Sequence, residues 1–380
     1  MEEGGRVRAL ALVFGLLSAF LLVLAPAVDT LLSVPPNSPW QVTEYTLTYG
    51  LDVTNLGYAP ASNATVKIAV IRDFLPFQDV LSSVPLTPPQ NASTDSWNNS
   101  YVLYRLSPVQ PGETRQFLLR TTVRLRSIDF AVAEGTPSLS RTPSFSRTSH
   151  LSPYLQPEEF IESNDTNIIG RAQALSVSAT NAHGYAFNAF RYTTAHLSFV
   201  EQPEERGAAF ALKSGAGEAT EYADLFVALL RARGIPAGRL NGFAGNLQAG
   251  AQYFGEELFH VWARVHYSNV GWVPSDPTWG DRQLFENFER SDGSHLAVTE
   301  GVGRKFSFLA WNRTLNPGAN LQGDYHVVVE SKTVQNLSLS RDLVFVSFFA
   351  LPISLIATIT VGVLRERRMR KRLPPANQDE

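Results

Sequence analysis

Gly217-Glu-Ala-Thr-Glu-Tyr-Ala-Asp-Leu-Phe-Val-Ala-Leu-Leu-Arg-Ala-Arg-Gly-Ile-Pro236 decides the fold. Apolar residues recur at Ala219, Tyr222, Ala223, Phe226 and Leu230, the i, i+3, i+4 spacing of a helix with one face turned to a core. Glu218 and Glu221 fall in the expected first turn and Arg231 and Arg233 in the last, matching the sign of the helix dipole at each end. Gly234 then suits the position after the helix, and Pro236 forbids its continuation.

Two further stretches belong with this helix: Phe259-His-Val-Trp-Ala-Arg-Val-His266 and Gly271-Trp-Val-Pro-Ser-Asp-Pro-Thr278. Together the three resemble the transglutaminase-like superfamily, in which a helix-borne Cys is paired with a strand-borne His and Asp. The family's pattern, Gly-x-Cys-x-x-x-Ala, a Leu-Phe helix and Arg-x-x-Gly-Ile-Pro-Ala, is met by Gly217, Ala223, Leu225-Phe226 and Arg231 to Ala237. The Cys position holds Ala219, and the chain contains no cysteine at all. The resemblance extends from about Pro157 to Gly301, including Phe285-Glu-Asn-Phe288 and Asp292-Gly-Ser-His-Leu-Ala-Val298. It implies an α+β domain with helices packed over the nucleophile helix, followed by an antiparallel sheet carrying His260 and then Asp276.

A thiol at a helix N-terminus is acidified by uncompensated N–H groups, a neighbouring imidazole holds its proton, and a carboxylate orients the imidazole. Ala219 keeps the position and lacks the sulfur. His260, Trp262, Arg264 and His266 share one face of a period-two strand. If the next loop is Ser268 to Val270, with Tyr267 opposite Gly271, Asp276 falls opposite Trp262 and within diagonal reach of His260. An even-length loop would send Asp276 to the other face. Thr220 is rotated by about 100° from Ala219 around the helix, and Ser214 is better suited to capping, so no hydroxyl is expected to replace the thiol. A metal site from Glu256, Glu257, His260 and His266 is not expected either, because His260 and His266 are separated by roughly 20 Å along a strand. No cofactor is implied. Trp262, Trp272 and Trp279 are candidate contacts for a ligand in the cleft.

The chain has 380 residues, 44% hydrophobic and 18% charged, enough for two cored domains. A net charge of -3 offers no basis for nucleic-acid binding. Without cysteine, disulfides cannot report on the compartment. Residues 9–28 and 343–364 are charge-free apolar runs, each long enough to cross roughly 30 Å of hydrocarbon. Arg6 and Arg8 precede the first, and Arg365-Glu-Arg-Arg-Met-Arg-Lys-Arg372 follows the second. Positive charge on these flanks predicts two transmembrane helices, cytoplasmic termini and an extracytoplasmic segment of about 34–341. A cleaved signal peptide is the other reading of the first run, since Ala25-Pro-Ala27 lies near its end. The sequons at Asn63, Asn91, Asn98, Asn164, Asn312 and Asn336 all fall between the runs, on the side where glycans are added.

The expected organisation starts with a short cytoplasmic N-terminus (1–8) and the first transmembrane helix. Between 37 and 126, short alternating runs such as Thr43 to Val53 and Thr114 to Leu125 predict an immunoglobulin-like β-sandwich, with a Pro/Ser-rich loop near Ser82 to Ser100. A Ser/Thr/Pro-rich linker (127–155) precedes the transglutaminase-like domain (156–334). A spacer (335–342), the second transmembrane helix and a basic, then disordered, tail (365–380) complete the chain. An exported two-helix protein without disulfides suggests a prokaryote. The expected function is binding or scaffolding of a polypeptide or cell-surface polymer by a pseudoenzyme; the alternative is an active peptidase or acyltransferase on amide bonds.

Overall fold

The computed structural model describes residues 37–62, 64–132, 150–255, 257–280, 287–302, 309–313 and 316–336. Residues 36–335 make one compact unit; 1–35 and 336–380 make the other, and of these only Asn336 is described. Both expected transmembrane runs, the cytoplasmic segments, most of the linker and Asn63 lie outside the described residues. Among the described residues, no helix is long and apolar enough to cross a membrane.

The first part is all β. Strands β1 (Pro39–Asn55), β2 (Ala64–Ala69), β3 (Gln78–Pro85), β4 (Asn91–Thr94), β5 (Ser100–Arg105) and β6 (Thr114–Asp129) follow one another. In β1 the alternation Tyr45, Leu47, Tyr49, Leu51, Val53 is buried, and in β6 so is Phe117, Leu119, Val123, Leu125, so each strand puts one set of side chains into the core. The two pair antiparallel from Thr54–Thr114 to Pro39–Ile128. β3 and β4 occupy much of the stretch expected as a loop; pairing with β6 and β5 overrides the turn-rich composition.

Helices come next: α1 (Thr166–Ser176), α2 (Ala182–His196), α3 (Gly207–Ser214) and α4 (Ala219–Ala232). Asp165 caps α1 by accepting from the Asn167 and Ile168 N–H groups, and Asn181 caps α2 through Gly184. A parallel pair, β7 (Ser198–Phe199) and β8 (Ala216–Gly217), leads into α4. Then come β9 (Ala237–Ala244), β10 (Gln252–Phe254), β11 (Phe259–Tyr267), β12 (Gly271–Ser275), β13 (Arg290–Ser291), β14 (His295–Glu300), β15 (Leu309–Arg313) and β16 (Leu321–Asn336).

These strands do not stay in one half of the chain. An antiparallel sheet of order β12-β11-β9-β14 supports α4. By contrast, β10, β16 and β13 join β1, β6 and β3 in a six-stranded sheet, and β15 completes a four-stranded sheet with β2, β5 and β4. The expected boundary at 127–155, with everything from 156 to 334 in a second domain, is therefore corrected. Strands 309–313 and 321–336 belong to the sheets begun near the N-terminus, and β6 runs through residues 127–129. One apolar cluster joins Tyr49, Val66 and Leu119 to Phe243, Val261 and Leu296. One contiguous core thus spans both regions, as in a single domain.

Helix α4 is buried from Thr220 to Arg231 on every side, rather than along one stripe. The sheet covers one side and α1 to α3 cover the other. Two of its charged residues are buried as ion pairs: Asp224 meets the Arg239 guanidinium at 3.0 Å, and Arg231 meets Glu158 at 2.6 Å. Glu205 also pairs with Arg239. Burial works against the Arg239 charge, but the surrounding carboxylates outweigh it and hold the group charged.

Candidate active site

Helix α4 begins at Ala219, with Glu218 as the residue before it. The Glu221 carboxylate reaches back to the Glu218 N–H at 3.0 Å, the return bond of a capping box. Gly217 is glycine for a local reason: a Cβ there would lie 2.4 Å from the Glu221 Cβ. Ser214, expected as a cap, is instead the last residue of α3, and its hydroxyl bonds to the backbone of Ala216. Thr220 is buried, with its Oγ1 3.0 Å from a Glu221 carboxylate oxygen. Both hydroxyls are engaged locally.

The β11–β12 hairpin pairs Tyr267 with Gly271, His266 with Trp272 and Ala263 with Ser275. That is the three-residue-loop register, and it places Asp276 on the face of His260. His260 Nε2 and Asp276 Oδ2 are 2.9 Å apart. Asp276 Oδ1 accepts from the Thr278 N–H at 2.9 Å, which fixes the carboxylate plane. An ionised carboxylate only accepts, so His260 carries its proton on Nε2 in this bond and leaves Nδ1 as its second ring nitrogen.

Ala219 and His260 line a common cleft of about 530 Å³, within the range of small-ligand pockets. Phe199, Phe259 and Trp279 form apolar walls, and Glu201, Glu218 and Glu257 are also in the lining. Trp279 stacks on the His260 ring with centroids 4.7 Å apart. The other two candidate tryptophans are not cleft residues. Trp262 is 1% exposed and packs with Phe74, Phe77, Leu240 and Ala297, because a loop between β2 and β3 covers that face of the sheet. Trp272 lies at the hairpin's far end, against Tyr154 and the Arg264 guanidinium.

His295 was missed in the sequence reading, although its segment contributed to the resemblance. Its Nε2 lies 3.3 Å from Asp276 Oδ2, and its Nδ1 lies 3.0 Å from Asp292 Oδ1. Asp292 also accepts from the Ser294 N–H at 2.8 Å. Four side chains thus form a chain, Asp292–His295–Asp276–His260. Burial disfavours the His295 imidazolium, but Asp292 and Asp276 outweigh it and push its pKa up to about 10. Burial likewise pushes the Asp276 carboxyl up, and the two imidazoles more than reverse this, holding it well below the usual range. The Asp292-x-x-His295 spacing at the start of a strand was the available signal, but strand order was needed to bring it to His260.

The expectation of no metal considered His260 with His266. In the structure His266 sits beside Trp272, while His260, Asp276 and His295 offer ligand atoms all within 4.8 Å of one another. Of the sequon residues, Asn91, Asn98, Asn164 and Asn336 are exposed; Asn312 lies on β15.

The buried helix that starts at Ala219 thus shares a cleft with a strand-borne His–Asp pair. Residues 165–277 match the family model of the transglutaminase-like superfamily. The chain carries a transglutaminase-like domain. The uncharacterized protein YebA of Bacillus subtilis is 26% identical over 129 residues, covering 29% of this chain and 18% of that relative's length. A Cytophaga hutchinsonii crystal structure, described as a candidate cysteine protease, shares the fold with a TM-score of 0.50 at 15% identity, covering 78% of this chain and 91% of that one. The periplasmic domain of Pseudomonas aeruginosa TgpA aligns with a TM-score of 0.35 at 14% identity, over 69% of this chain and 96% of that one.

Proposed function

We propose that this transglutaminase-like domain binds an extended polypeptide or cell-surface polymer without cleaving or transferring it. The observation that carries this reading is Ala219: the helix N-terminus that faces His260 across the cleft presents a methyl group, and the chain contains no thiol to replace it. The nearby hydroxyls support it, since Thr220 is buried against Glu221 and Ser214 is tied to its own loop. The aromatic walls and room of the cleft suit retained binding. The apolar, charge-free runs at 9–28 and 343–364, each with basic residues on its terminal side, support a membrane-anchored protein with the domain outside the cytoplasm, as do the exposed sequon residues.

The test is hydroxylamine-dependent turnover of a labelled peptide amide by the unaltered chain and by Ala219→Cys. The expected result is no turnover without the thiol and measurable turnover with it. Turnover by the unaltered chain would overturn the non-catalytic reading.

A further inference from the structure

We propose that His260, Asp276 and His295 form a binding site for a divalent transition-metal ion of the zinc type. This inference does not depend on what occupies the cleft.

Three strands contribute. His260 comes from β11, Asp276 from the residue just after β12 and His295 from the start of β14. Sheet order brings them to one end: His260 pairs across β9 with Gly242, and His295 with Ala244. Their donor atoms converge on one another, with Asp276 Oδ2 2.9 Å from His260 Nε2 and 3.3 Å from His295 Nε2. Donors bound at about 2.0–2.2 Å to a tetrahedral ion lie roughly 3.3–3.5 Å apart, so modest opening of this cluster would admit one. Two imidazoles and one carboxylate are a donor set used by zinc and by other first-row ions.

The surroundings fit as well. His295 Nδ1 is held by Asp292, the carboxylate–histidine arrangement that orients metal-ligating imidazoles. Asp276 is buried while Asp292 is partly exposed, and a divalent ion would add positive charge beside the buried Asp276 carboxylate. A cavity of about 10 Å³, roughly one water's room, lies beside the cluster, lined by Asp276, Asp292, His295, Trp262 and Arg290 but not by His260. The buried Trp262 Nε1 has no hydrogen-bond partner among the described residues, and an oxygen ligand in that cavity would supply an acceptor.

Binding puts the ion on both Nε2 atoms: the His260 proton moves from Nε2 to Nδ1, His295 keeps its Nδ1–H toward Asp292 and releases its Nε2–H proton to the buffer, and Asp276 contributes a carboxylate oxygen already ionised.

The full chain, stripped with a chelator, is titrated with zinc chloride by calorimetry in two buffers of different ionisation enthalpy. The expected result is one ion per chain with a buffer-dependent heat that reports proton release. His295→Gln and Asp276→Asn should abolish binding, Asp292→Asn should weaken it by about 10–100-fold, and His266→Gln should leave it unchanged. Failure of the unaltered chain to bind one ion, or undiminished binding by His295→Gln, would overturn the proposal. Should the variants not fold, cobalt(II) added to the unaltered chain decides. Intense visible bands of a low-coordinate nitrogen/oxygen site support the proposal, and a weak octahedral spectrum refutes it.

Discussion

The His260 Nε2 to Asp276 Oδ2 bond, 2.9 Å long and buried, holds an imidazole in the cleft that Ala219, at the start of α4, also lines. Placing sulfur at position 219 tests this geometry directly. In Ala219→Cys the new thiol should react with iodoacetamide at mildly acidic pH, well below the free-thiol pKa of about 8.5, because the helix N-terminus and His260 favour the thiolate. Adding His260→Gln should move the pH–rate profile back toward the free-thiol value. Indistinguishable profiles for the two would show that the residues do not interact.

Arg239 holds two buried carboxylates, Asp224 and Glu205, between α4 and the segment before α3. Arg239→Met leaves both without their cation, and burial already pushes the Asp224 carboxyl up. The expected loss is about 3–5 kcal/mol in urea unfolding. A loss below about 1 kcal/mol would mean that the carboxylates find solvent or protons cheaply.

Gly217→Ala places a methyl 2.4 Å from the Glu221 Cβ, so the first turn of α4 must shift. Overpacking of this kind costs about 1–3 kcal/mol. Thermal unfolding reads the cost, and the iodoacetamide profile of Gly217→Ala in the Ala219→Cys background reads the displacement of position 219.

His183 Nδ1 lies 2.9 Å from Glu289, and that hydrogen bond raises its pKa against the opposing effect of partial burial. A raised histidine contributes stability that is fully present below the unfolded value of about 6.5 and is lost as pH rises through the folded value. The urea midpoint should therefore fall between about pH 6 and about pH 8 more in the unaltered chain than in His183→Gln. Equal slopes would remove the pair from the pH response.

Local signals made α4 legible before any coordinates: the apolar spacing, Gly234 and Pro236 are short-range features that act within a few residues. The β11–β12 hairpin was legible only conditionally: alternation along a strand ties the face of Asp276 to the loop's parity, and the three-residue loop puts it on the face of His260. Trp262 and Trp279 looked equivalent as sequence, and only the covering loop at Phe74 and Phe77 distinguished core from cleft.

The sequence by itself determined the helix and the absence of a thiol, since each depends on residue identity or short-range spacing. Tertiary structure decided the rest. It returned strands 309–313 and 321–336 to the N-terminal sheets and buried α4 on all sides. It also carried His295 and Asp292 to Asp276, because strand pairing order is set by the packing of distant segments into a common core.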